Sequence, residues 1–92
     1  MRTKYVTGAT VTDLGTTIPF VPGSVVAVAN PGSSAATLQF GDASTGPFST
    51  AHTADGATAA VIPAGGTLEN VLVSGRYAAI EGGSGQLQLY QN

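Results

Sequence analysis

The chain has 92 residues, with 3 Lys or Arg, 5 Asp or Glu, a formal net charge of −2, 13 Gly, 5 Pro and neither Cys nor Trp. Without cysteine there are no disulfides and no thiolate metal sites. Three basic residues, Arg2, Lys4 and Arg76, are too few to neutralise a nucleic-acid backbone, and no apolar run approaches the roughly 20 residues that span a bilayer.

Small side chains dominate: 14 Ala and 9 Val stand against 6 Leu, 3 Ile and 3 Phe. A chain this short buries only about 60–65% of its unfolded surface, and an Ala adds far less than the roughly 1.5–3 kcal/mol of a buried Leu or Phe. Scaffolds of this size without disulfides or metals gain stability by associating, so a symmetric oligomer is expected. Leu, Ile, Val and Phe still make 21 of the 92 residues, which with so low a charge predicts a compact domain and not disorder. The opening MRTKYVTGATVTDLG has no apolar h-region of a signal peptide.

In chain order, the first 17 residues predict an N-terminal arm or the first edge strands, with short extended runs at Lys4–Val6 and Val11–Thr12 and little bulk. Residues 18–92 predict a β-sandwich domain, with strands at Ile18–Phe20, Ser24–Asn30, Ala36–Gly41, Phe48–His52, Ala57–Ile62, Leu68–Val73, Arg76–Glu81 and Gln86–Gln91. Leu38 and Phe40 alternate with Thr37 and Gln39, and Leu87 and Leu89 with Gln86 and Gln88, the period-2 signal of half-buried strands. Val25-Val26-Ala27-Val28-Ala29 is apolar on both faces and reads as a central strand covered on both sides, as does Ala59-Ala60-Val61-Ile62. Asn30-Pro31-Gly32, Thr45-Gly46-Pro47, Pro63-Ala64-Gly65-Gly66 and Gly82-Gly83-Ser84-Gly85 carry turn chemistry, and Asp55-Gly56 marks a hairpin. No stretch holds a helical apolar period. The fold class is therefore all-β: a small antiparallel β-sandwich or jelly-roll-like barrel without significant helix. Its expected core is Phe20, Val26, Val28, Leu38, Phe40, Val61, Leu72, Ile80, Leu87 and Leu89.

Chemistry-bearing residues are sparse. His52, the only histidine, would need Asp55 and a hydroxyl for a triad, but no nucleophile elbow exists, and its place beside a hairpin turn suits a solvated residue. Asp42 and Asp55 sit beside glycines, where Asp bonds its own backbone. The glycine-rich Gly82–Gly85 run precedes a strand, whereas a phosphate loop must open a helix. Tyr5, Tyr77 and Tyr90 suit sugar stacking or ordinary strand positions. Arg76 is expected either to pair with a carboxylate such as Glu69 or Glu81 or to anchor a partner together with Tyr77, both being hot-spot residue types. No catalytic, metal or cofactor site is expected. The candidate protein-interface residues are Arg2, Lys4, Tyr5, Arg76 and Tyr77.

Between residues 24 and 90 the succession Val28-Ala29-Asn30-Pro31, Leu38-Gln39-Phe40-Gly41-Asp42, Val61-Ile62-Pro63-Ala64-Gly65-Gly66, Gly75-Arg76-Tyr77 and Gly82-Gly83-Ser84-Gly85-Gln86-Leu87-Gln88-Leu89-Tyr90 resembles small β-sandwich virion proteins of tailed bacteriophages, of the head decoration or cement type. The resemblance implies a non-enzymatic protein, made in the host cytoplasm, that sits on the outer surface of the head. It would brace the major capsid protein as a homotrimer; the absence of a cofactor and of nucleic-acid or membrane partners is expected separately, from the sparse charges, the short apolar runs and the lack of site motifs. It carries over no site residues. The rival reading is a carbohydrate- or receptor-binding β module of a phage fibre or tail.

Overall fold

The computed structural model describes residues 2–16 and 19–91. Alternation gives each strand one apolar face, and two sheets bury those faces against each other. The strands are β1 (Arg2–Thr7), β2 (Thr12–Asp13), β3 (Val25–Ala29), β4 (Ala36–Gly41), β5 (Ser49–Thr50), β6 (Val61–Ile62), β7 (Thr67–Leu72), β8 (Tyr77–Ile80) and β9 (Gln86–Gln91). Between β8 and β9 lies a glycine-rich turn, Glu81–Gly83, in which Gly82 has φ 83°. One sheet runs β1-β9-β3-β7 and the other β2-β8-β4-β5, with β6 on a further stretch of β4, and the pairs are antiparallel. The chain crosses from sheet to sheet at every step except along β4, β5 and β6, which stay together in one sheet. This is the strand order of a jelly roll.

Both sides of the sandwich are stitched. On one, the hairpin around Asp55-Gly56 bridges His52 to Ala59 and Thr53 to Val71, and Leu72 N–H donates to His52 C=O at 3.0 Å. On the other, the Thr12 hydroxyl of β2 donates to Tyr5 C=O of β1 at 3.3 Å, while Leu14 N–H to Arg76 C=O and Gly8 N–H to Gly85 C=O, both at 2.8 Å, lengthen the β2–β8 and β1–β9 ladders. Gly8 is required there: a Cβ would stand 2.4 Å from Ser84 Cα, so the two turns pack backbone on backbone.

The core holds Val6, Leu14, Phe20, Val26, Val28, Leu38, Phe40, Ile62, Val71, Val73, Ile80, Leu87 and Leu89, filled in by small residues such as Ala51, Ala60 and Ala78. Two of the expected core residues are corrected. Val61 is 50% exposed and its neighbour Ile62 is fully buried. Leu72 is half-buried, while Val71 and Val73 face inward. Val61 stands opposite the outward Thr37 and Ile62 opposite the inward Ala36, whereas for Leu72 the reason lies in β7. Val26 pairs with Val71 and Val28 with Leu68, so Glu69 and Asn70 together oppose Ala27. This is a β-bulge, with Asn70 at φ 59°, a region Asn tolerates better than most residues. One extra residue flips the side-chain parity beyond it, so counting by twos from Leu68 selects the wrong face.

One expectation about β3 is revised, and two concern the N-terminal part of the chain, where β1 and β2 take edge positions in the two sheets. β3 is central in its sheet but covered on one face only; Val25 is exposed and Ala27 and Ala29 are half-buried. The strand expected at Ile18–Phe20 falls partly outside the described residues, since Ile18 is not among them, and Phe20 N–H donates to Leu14 C=O at 2.8 Å, a loop contact and not a ladder bond. The first 17 residues contribute to the core: Val6 and Leu14 are fully buried, and β1 pairs with β9 at six positions from Arg2↔Gln91 to Thr7↔Gln86.

Among the described residues, Asn30 is the buried polar side chain, 2% exposed. Its amide donates to Ile62 C=O at 2.9 Å and Ser34 C=O at 2.8 Å, and its Oδ1 accepts Gly32 N–H at 2.9 Å. Its backbone exchanges bonds of 2.9 Å with Gly65 and Gly66.

Urea titration of single variants checks this packing. Leu38→Ala and Ile62→Ala are each expected to cost about 2–5 kcal/mol, whereas Val61→Ala stays within about 0.5 kcal/mol; equal losses at 61 and 62 would refute the assigned face. Asn30→Ala strands buried backbone groups and is expected to cost about 1–3 kcal/mol or more. A neutral outcome would mean those groups find water.

Candidate functional site

Tyr77 and Ala79 alternate with the buried Ala78 and Ile80 on β8, and Thr37 and Gln39 with Ala36, Leu38 and Phe40 on β4. The outward residues are neighbours across the ladder: Gln39 opposes Ala79 and Thr50, Tyr77 opposes Asp13 and Gly41, and Thr37 opposes Val61. Apart from Asp13 at the edge, they form a surface of uncharged side chains. At its edge lies an ion pair, in which Arg76 Nε and Nη2 donate to Asp13 Oδ1 and Oδ2 at 2.8 and 2.9 Å. Arg76 also lies 5.4 Å from the centre of the Tyr77 ring. Its carboxylate partner is therefore Asp13 and neither Glu69 nor Glu81. The β2–β8 pairing places Asp13 beside it across 63 residues of sequence, a proximity that no local pattern encodes. The Arg76 and Asp13 side chains are 53% and 28% exposed, so the pair orients the guanidinium more than it stabilises the fold.

The five candidate interface residues do not form one surface. Arg76 and Tyr77 share the outer face of β2-β8-β4-β5. Tyr5 projects from the opposite face, where its hydroxyl accepts Gln88 Nε2–H at 2.6 Å while the Tyr90 hydroxyl donates to Gln88 Oε1. Tyr5 and Tyr90 are thus joined through Gln88, and Tyr77 lies on the other side of the sandwich. Lys4 Nζ donates to Thr16 C=O at 2.7 Å and stands 6.0 Å from the centre of the Phe20 ring, and Arg2 donates to Pro19 C=O at 3.2 Å. Both cations tie down the β2–β3 connection.

Asp55 accepts from the Thr53 hydroxyl and from Ala57 N–H at 3.0 Å, the self-bonding turn role that its position suggests. His52 is exposed on the same hairpin. Among the described residues no group of three or more His, Cys, Asp or Glu is placed to hold a metal, and no helix is long and apolar enough to cross a membrane.

A feature that sequence reasoning missed is an open concavity of about 630 Å³ against the β7 bulge, lined by Ser24, Val25, Ala27, Glu69, Asn70 and Tyr90 among others. The available signal was the polar Glu69-Asn70 pair interrupting the apolar run from Leu68 to Val73. No protein-family model, curated protein or solved structure matches the chain.

The Arg76 guanidinium, and secondarily Gly15 N–H, hold the Asp13 carboxyl below its ordinary 3.8. Thr53 and Ala57 lower Asp55 likewise. A carboxyl depressed on folding contributes stability that is present above its unfolded pKa and lost as pH falls through its folded one. Melting temperature measured against pH should therefore drop below about pH 4, and Asp13→Asn should flatten part of that drop. Parallel curves for variant and parent would show that the pair does not persist in solution.

Proposed function

We propose that the chain is a non-enzymatic virion structural protein of the decoration or cement kind. In this reading it forms a symmetric oligomer that braces major capsid subunits on the outside of a bacteriophage head. The observation that carries the proposal is the uncharged outer face of β2-β8-β4-β5, bearing Tyr77, Ala79, Gln39 and Thr37 with the oriented Arg76 at its rim. Interface cores are depleted of charge and enriched in Tyr and Arg, and side chains already held in a sheet ladder lose less freedom on docking than long mobile charged ones. The jelly-roll order is also used by viral capsid domains, which supports the reading by analogy of fold alone. Several such contacts made at once by an oligomer sum to tight binding.

The β1 pairing changes how the role of the N-terminal segment is tested. Deleting residues 1–12 would remove a six-residue strand and Val6 from the core, so its effect on binding would be confounded with unfolding. A point charge on the proposed face avoids this. Electron microscopy of particles carrying the protein is expected to place it at local threefold positions, with light scattering giving a trimer at micromolar concentration. Ala79→Glu should cut capsid occupancy without shifting the melting temperature. A monomer that leaves capsids bare, or full occupancy with Ala79→Glu, would overturn the proposal.

A further inference from the structure

The concavity beside the β7 bulge lies on the opposite face of the sandwich from Tyr77, and we propose that it binds a neutral saccharide. Its floor is the exposed side of β3, where Val25 and Ala27 present small apolar groups, and Tyr90 adds an aromatic wall. The Tyr90 hydroxyl is already engaged with Gln88, so what the residue offers the concavity is its ring. At the far side stand Glu69 and Asn70, both exposed. They also line a second concavity of about 310 Å³ with Thr53, Ala54, Asp55 and Thr58, so the bulge is a polar ridge between two hollows.

The bulge gives this ridge its character. In a regular strand Glu69 and Asn70 would point to opposite faces, one of them into the core. The extra residue turns both outward and leaves Val71 on the core side. What holds Asn70 in the fold is its backbone: its carbonyl accepts Ala54 N–H at 2.8 Å. The carboxylate and the amide are adjacent planar groups of the kind that bond neighbouring hydroxyls, Glu69 accepting and Asn70 both donating and accepting.

A pyranose matches this arrangement. It has an apolar C–H face for Val25, Ala27 and the Tyr90 ring, and a rim of hydroxyls for Glu69 and Asn70. The volume is that of a small-ligand site, and its openness suits one or two units of a longer glycan. Glu69 and the net charge of −2 disfavour sialylated or uronate-containing glycans by like-charge repulsion. The site goes beyond the capsid-bracing role and uses none of the face assigned to it. A head protein with both would face the lattice on one side and present a sugar-binding hollow outward.

The test uses the full chain on an array of neutral glycans ending in glucose, galactose, mannose or N-acetylglucosamine, with sialylated glycans alongside. Hits are followed by amide chemical-shift mapping with the free oligosaccharide. The expected result is binding of neutral glycans, with shifts confined to Gly23–Ala27, Glu69, Asn70, Tyr90 and Gln91. Glu69→Ala combined with Asn70→Gly, which preserves the left-handed backbone at 70, should weaken binding roughly tenfold or more. Tyr90→Phe should retain it. The double variant should keep the parent melting temperature and unchanged capsid occupancy, which separates this site from the capsid-bracing proposal. An array without neutral hits, shifts that map to another face, or undiminished binding by the folded double variant would each overturn the inference.

Discussion

The amide of Asn30 joins the end of β3 to the two segments that follow it. Its bond to Ile62 C=O ties β6, which pairs with β4, to the end of β3 in the other sheet, and its backbone bonds to Gly65 and Gly66 hold the turn that launches β7. With that turn fixed, Thr67 begins opposite Ala29 and Leu68 opposite Val28, which sets the register of the sheet edge. A buried amide is stable only when its donors and acceptor are all used. Here the two N–H groups and the oxygen each have a backbone partner, so the requirement acts as a locating pin between the sheets.

The opposite end is closed by different means. Leu14 and Phe20 supply two of the largest fully buried side chains, and Lys4 and Arg2 hold the loop that carries them. In a core otherwise rich in Val and Ala, these bulky residues matter more than their number suggests, because burial scales with apolar area. The N-terminal segment is thereby committed to the fold. Its two cations also lie along an edge strand, where charge discourages uncontrolled pairing with other sheets.

The two outer faces differ in shape and chemistry. The β2-β8-β4-β5 face is uncharged apart from the Arg76–Asp13 pair at its edge, which suits docking against another protein surface. The β1-β9-β3-β7 face carries the Tyr5-Gln88-Tyr90 network and the hollow beside the bulge. The proposed division of labour assigns the first to capsid contact and the second to a small polar ligand. Both proposals rest on how strand parity sorts residues between core and surface.

The sequence by itself determined the all-β class, most strand positions from Ser24 onward, the Asp55-Gly56 hairpin and eight of the ten expected core residues, because period-2 alternation and turn chemistry are local and follow from the backbone's own geometry. Tertiary structure alone decided the rest. The bulge at Glu69-Asn70 reversed parity in β7, so Val71 and Val73 took the place expected of Leu72. The Asp13–Arg76 pair and the Tyr5-Gln88-Tyr90 network depend on strand neighbours 63 and 83 residues apart. The candidate surfaces were legible only as residue types: Arg76 and Tyr77 stood out, but that they share a face with Gln39 and not with Tyr5 follows from the order of strands in the sheets. Strand order is fixed by which loops close and which apolar faces meet, and those are long-range choices made with no signature in the residues on either side.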